Sequence, residues 1–251
     1  MAMYVFKDKE KTKKVFARDL TKRDKELRYY CPNKKCSAKM YLWSLEGESR
    51  PFFRSAGEPG HIDHCPYGSD NKFVPENNCE NGFDSDSAIS DMMNPTINKA
   101  SGNSNGNGHG ENDSVKEVIP HTIKQIYDMC KYYDCDAEFN HKKIGQILVD
   151  DRSIYMYPNG VFGLRLVEAK CRSYLYEDKS IFLVSTIVGE EYEFELKCSD
   201  DLLFRRIRDL LYANRDKVIV VAGQWEKSGV YNRFSTQFNS KKQIKVLKQK
   251  I

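Results

Sequence analysis

No stretch of this 251-residue chain approaches the roughly 18 consecutive apolar residues that a bilayer-spanning helix needs, so no membrane partner is expected. Its first residues, MAMYVFKDKEKTKK, lack the apolar core of a secretory signal. Eight cysteines would suggest disulfides in a secreted chain; without such a signal they read as reduced thiols of a cytoplasmic protein. A Gly-rich phosphate loop and a nucleophile elbow are also missing, so nothing marks a small-molecule site. Aliphatic residues nearly vanish from one internal stretch, NPTINKASGNSNGNGHGENDS. Such a segment buries too little apolar surface to offset the entropy of ordering it. Residues 68–117 are therefore expected to be a disordered acidic Asn/Gly/Ser-rich linker, with Cys79 and His109 incidental to it.

The net charge of +4 is unevenly spread. Residues 1–67 carry 15 Lys/Arg against 9 Asp/Glu (+6), residues 68–117 carry 3 against 9 (−6), and residues 118–251 carry 22 against 18 (+4). Two basic bodies joined by an acidic connector suit a polyanionic partner, although charges of this size are ordinary for protein surfaces.

What the front of the chain does have is C-x4-C followed by H-x3-C: Cys31, Cys36, His61 and Cys65. Two close pairs of zinc-affine side chains make one complete tetrahedral set, and a structural zinc would let a small segment fold without a large core. His64 adjoins Cys65 and cannot easily share its metal, so His61, one helical turn away, is the expected ligand. Four protein ligands leave no position for water, which argues against zinc hydrolysis. Cys130 and Cys135 have no such companions and read as buried thiols.

Structure is expected to resume near Pro120. Ile123, Ile126, Tyr127, Cys130 and Tyr133 recur at helical spacing behind Thr122 as cap. Strand patterns follow: IGQILVD, GVFGLRLVEAKCRSYLY, SIFLVSTIV and YEFELKC, then the amphipathic helix DDLLFRRIRDLLYANRD capped by Asp200 or Asp201, then KVIVVAGQW, NRFSTQF and QIKVL. Three strands, a helix and two strands is the order of an OB barrel. Phe162, Leu164 and Leu166 are expected to point inward on its first strand, and Tyr192, Phe194 and Leu196 on its third. The expected architecture is α+β: residues 1–67 a small zinc-finger-like module, 68–117 the linker, 118–159 a helix and short strand, and 160–251 a five-stranded OB-like β-barrel.

The segment YYCPNKKCSAKMYLW through FFRSAGEPGHIDHCPY resembles the N-terminal zinc-finger-like region of CoiA-type competence proteins, over residues 17–67. It departs at the first cysteine pair, where four residues rather than two intervene. The resemblance implies nucleic-acid processing and a restriction-like nuclease domain behind the finger. Glu168-Ala169-Lys170 fits the E-x-K half of such a site, with Asp150 or Asp151 as the second carboxylate for magnesium. Glu168 and Lys170 read equally as outward-facing neighbours on a strand.

A single-strand binder needs basic grooves lined with rings on which bases stack. Lys170, Arg172 and Tyr174 share one face of the first barrel strand, and Trp225, Lys227, Tyr231 and Arg233 cluster between the fourth and fifth. Against them, Glu191, Glu193 and Glu195 line the third. Three functions follow: a zinc-containing, non-enzymatic nucleic-acid-binding protein; a protein-interaction adaptor; or a magnesium nuclease using Asp151, Glu168 and Lys170.

Overall fold

The computed structural model describes residues 2–43, 51–55, 57–68, 71–75, 82–94, 119–186 and 192–250. Short strands with alternating burial build the front of the chain. β1 (Tyr4–Phe6), β2 (Lys14–Phe16), β3 (Tyr29–Tyr30), β4 (Lys39–Trp43) and β5 (Phe52–Ser55) form one antiparallel sheet in the order β2-β1-β3-β4-β5. A bridge between Ala2 and Phe53 joins the first strand's leading end to the last strand, so the sheet curls around its own core. Tyr29, Met40, Leu42 and Phe53 fill that core, with Cys31, Cys36 and Cys65 buried among them. The expected finger is thus a curled sheet with more apolar packing than its basic composition suggests.

The expected linker is shorter than 68–117. α1 (Ser85–Met93) starts at Asp84, whose carboxylate accepts a hydrogen bond from the Asp86 amide at 2.9 Å. Phe73, Phe83, Ile89 and Met92 are buried in a core shared with the following domain. Four apolar side chains suffice because a docking surface already exists; each fully buried one contributes about 1.5–3 kcal/mol. Cys79, His109 and residues 95–118 lie outside the described residues.

α2 (Ile123–Tyr132) opens with the expected cap: the Thr122 amide donates to Gln125 Oε1 at 3.1 Å in a capping box. Next come a two-residue pair, β6 (Glu138–Phe139) and β7 (Lys142–Lys143), one helical turn, α3 (Ile144–Ile147), and β8 (Leu148–Val149). IGQILVD, expected as a strand, is therefore mostly helical.

The remaining elements are β9 (Gly163–Glu177), β10 (Ser180–Ser185), β11 (Glu193–Cys198), α4 (Asp201–Tyr212), β12 (Lys217–Lys227), β13 (Arg233–Phe238) and β14 (Ile244–Lys250). β9, β10 and β11 pair in sequence, β11 pairs parallel with β13, β13 pairs with the end of β12, and β12 returns to β9. A closed five-stranded barrel results, in the order β9-β10-β11-β13-β12. This is the strand order of an OB-like barrel, and the third-to-fifth parallel pair is its distinguishing join. α4, capped by Asp200 through a 2.6 Å bond from the Leu203 amide, packs Phe204, Ile207 and Leu211 into the barrel core. β14 extends β12 outside the barrel, and β8 adds to β9 in parallel.

One register expectation is reversed. Val167 and Ala169 of β9 face the barrel core, while Leu164 and Leu166 face the second core beneath α1 and α2, and Phe162 is exposed. The cause is two-sided burial. β9 and β12 are covered on both faces, so apolar residues fill both alternating sets and the period of two carries no direction. On β11, with one face in the core, Phe194 and Leu196 point inward as expected, and Tyr192, just before it, joins the same core.

The two bodies touch directly. The Met3 amide donates to the Tyr132 carbonyl at 3.4 Å, and Lys14 Nζ pairs with Asp134 at 2.8 Å. Lys34 Nζ approaches Asp151 at 3.5 Å.

Candidate metal centre and the seam behind it

β3 delivers Cys31 into a tight loop in which the Cys36 amide donates to the Asn33 carbonyl at 2.9 Å and the Cys31 amide to the Ala38 carbonyl at 3.1 Å. Lys11 Nζ clamps this knuckle by donating to the Cys36 carbonyl at 2.7 Å and to the Asn33 carbonyl. The second pair sits on a turn closed by the Cys65 amide on the Ile62 carbonyl at 3.1 Å. In that turn His64 takes a positive φ of 57° and is exposed, while His61 and Cys65 face inward.

Cys31, Cys36, His61 and Cys65 place their ligand atoms within 4.8 Å of one another and could hold a metal ion. Cys31 Sγ lies 3.7 Å from Cys65 Sγ, and Cys36 Sγ lies 3.4 Å from His61 Nδ1. An ion bound tetrahedrally at about 2.3 Å to sulfur and about 2.0–2.1 Å to nitrogen sets edges of about 3.7 Å and 3.5 Å. The fit is close. The Asn33 side-chain amide lies 3.5 Å from Cys65 Sγ, placed to donate to a thiolate. Burial, then the neighbouring sulfurs of Cys36 and Cys65, push the Cys31 thiol up, whereas contacts with Cys31 and Cys65 hold the Cys36 thiol down. Three sulfurs this close cannot all ionise without positive charge at their centre. Among the described residues no other His, Cys, Asp or Glu group lies within ligand reach of this kind, and Cys130 and Cys135 are buried thiols.

Behind the centre runs a chain of buried polar groups that sequence reading missed. Tyr67, two residues past Cys65, meets the Tyr4 hydroxyl at 3.0 Å, and both rings lie beside Arg152. Arg152 donates to the Asp150 carboxylate at 2.8 Å and caps the end of α2 through the Cys130 and Tyr133 carbonyls at 3.1 Å each. Lys131 bridges Asp150 at 2.6 Å and Glu168 at 2.8 Å. Glu168 also accepts from the Tyr127 hydroxyl at 2.9 Å and from Thr186 at 3.1 Å. Burial raises the Asp150 carboxyl, but Arg152 and Lys131 override it and hold the group below the usual carboxylate range. Burial lowers Lys131, and Asp150 and Glu168 reverse that and hold it charged. Little in the residue order marked Lys131, because α2 also carries Lys124, Gln125 and Asp128.

Of the expected nuclease residues, Asp150 and Glu168 are brought together on Lys131 Nζ, at 2.6 Å and 2.8 Å. Asp151 faces Lys34, Glu168 is buried and occupied by Lys131, Tyr127 and Thr186, and half-buried Lys170 follows it two residues along β9. Of the expected nucleic-acid contacts, Trp225 is buried in the barrel core, its indole donating to the Arg165 carbonyl at 3.2 Å and its ring 5.0 Å from Phe194. That reading is corrected: Trp225 lies between exposed Gln224 and Glu226 on the barrel-facing side of β12, so its ring belongs to packing. Arg172 and Arg233 are brought together by Glu193, at 2.5 Å and 3.3 Å. Tyr174, Lys227 and Tyr231 are exposed, and Lys170 is half-buried. Glu195 accepts from Ser180 at 2.8 Å, and Glu191 lies outside the described residues.

No protein-family model matches the chain, and no curated protein matches it in sequence.

Proposed function

We propose that the chain is a zinc-containing protein that binds single-stranded or structured nucleic acid and performs no chemistry on it. The carrying observation is the barrel's strand order, with its parallel β11–β13 join. Barrels of this order bind oligonucleotides across their second and third strands and adjoining loops. Zinc is the ion that best suits three thiolates and one imidazole, and with all four positions taken by protein its part is structural. The excess of Lys and Arg in residues 1–67 supplies charge for phosphate. Reduced thiols at such a centre suit the cytoplasm.

A protein-interaction adaptor is the second reading, favoured by one observation: Glu193 cancels Arg172 and Arg233 on the barrel's outer face. The magnesium nuclease has less support, because metal ligation would have to strip Glu168 of Lys131, a partner in the same buried cluster as Asp150. Titration of the full chain into labelled DNA and RNA oligonucleotides decides. Binding that falls steeply between about 50 and 200 mM salt is the expected result; no binding at the lower salt overturns it and leaves the adaptor.

A further inference from the structure

The outward face of the N-terminal sheet is built from rings and cations. Cross-strand register places Tyr30 opposite Lys39, Tyr41 opposite Arg54 and Trp43 opposite Phe52. These six alternate with Tyr29, Met40, Leu42 and Phe53, which fill the core, so all six share the other face. Lys39 Nζ sits 3.6 Å from the Tyr30 ring centre and the Arg54 guanidinium 5.0 Å from that of Trp43. Arg28 adds a third cation, 5.7 Å from Tyr41, and the Tyr41 and Trp43 rings meet edge-on at 5.8 Å. Among the described residues, no carboxylate forms an ion pair with Arg28, Lys39 or Arg54.

A ring on water with a cation beside it offers a base a stacking surface and its phosphate a counter-charge, and each stacked base contributes enough to change affinity about five- to a hundredfold. Among the described residues these cations carry no competing carboxylate, so phosphate need displace none of those. Paired bases present no open π-face, which selects single strands over duplex. We propose that this sheet face, centred on Tyr41 and Trp43, is a stacking platform for single-stranded nucleic acid. The proposal rests on the nucleic-acid reading above and moves the principal contact from the barrel to the metal-bearing module.

The sequence holds two tryptophans, and they differ in a useful way: Trp43 is 42% exposed and Trp225 is 1% exposed. Base stacking should quench only the first. The test titrates the full chain with oligo-dT and oligo-U of about 15 nucleotides. Expected is quenching that persists in Trp225→Phe and disappears in Trp43→Phe. In anisotropy, Tyr41→Ala combined with Trp43→Ala should weaken binding by about tenfold or more, and Arg54→Gln should lower the salt slope by about 0.7. Lys227→Gln with Tyr231→Ala, on the barrel, should change affinity by less than about twofold. Metal content and unfolding midpoint of each variant report that the sheet is intact. Undiminished binding by the Tyr41/Trp43 variant would overturn the platform while leaving the nucleic-acid reading in place. Absence of wild-type binding at about 50 mM salt would remove both, and duplex bound as tightly as single strands would remove the platform.

Discussion

The outer faces of the N-terminal sheet and of the barrel carry the same kinds of residue in different states of engagement. On the sheet, Arg28, Lys39 and Arg54 lie against rings and keep their charge available. On the barrel, Arg172 and Arg233 converge on Glu193, and the large aromatic of that region, Trp225, is inside. The lesson is that a count of Lys and Arg does not locate a polyanion site. What each cation already holds decides how much of it a phosphate can use.

The sharpest way to separate the two regions is to challenge the proposed zinc with a chelator. Structural zinc contributes about 10–16 kcal/mol of apparent binding energy, which is folding energy for the segment it organises. Chelation should therefore release the amides of Met40 and Leu42 to fast hydrogen exchange while those of Ile219 and Val221 in β12 stay protected. Simultaneous loss of both sets would show that sheet and barrel unfold as one unit.

A smaller effect is expected at the seam. Lys131→Met leaves Asp150 and Glu168 buried beside less positive charge and should cost about 3–5 kcal/mol in urea unfolding. A loss below about 1 kcal/mol would mean that water reaches the cluster. The pH dependence has a definite sign. The Asp150 pKa is depressed in the folded state, so its stabilisation is complete above the unfolded carboxylate value of about 3.9 and is lost as pH falls toward the folded value. Wild-type stability should decline below about pH 4, and Asp150→Asn should flatten that limb.

The mildest test bears on the barrel face. Glu193→Gln removes a partly exposed ion-pair partner and should change stability by less than about 1 kcal/mol. It frees two arginines, so the salt slope for oligonucleotide binding should steepen by about 1. An unchanged slope would show that the barrel face takes no part even when its charge is released.

Much of this was legible in residue order. Cys31, Cys36, His61 and Cys65 announced themselves by spacing, because a metal site needs thiol and imidazole ligands at short range and sequence records both. The barrel order was legible because β11 alternates, β10 is a short β-branched and aromatic run, and α4 is amphipathic. The direction of β9 was not, since Leu164 and Leu166 pack on one of its faces and Val167 and Ala169 on the other. α1 was hidden within a polar span, because its apolar residues gain their burial from strands far along the chain. The network of Lys131, Asp150, Arg152 and Glu168 depends on contacts between α2, the turn after β8 and mid-β9, which no local pattern encodes. Lys39-x-Tyr41-x-Trp43 did carry a signal, a strict alternation with rings and charge on the outer side, that a search for clustered basic residues passes over.

The joint contact of Met3 with Tyr132, Lys14 with Asp134 and Tyr4 with Arg152 has a geometric corollary. It fixes the separation and tilt of the two outer faces, so a long ligand that engages both must bridge a constant span. Unlike beads on a string, such a molecule works as a gauge: polymers too short to reach gain nothing from the second face, and those that fit gain the whole advantage of a tethered second contact.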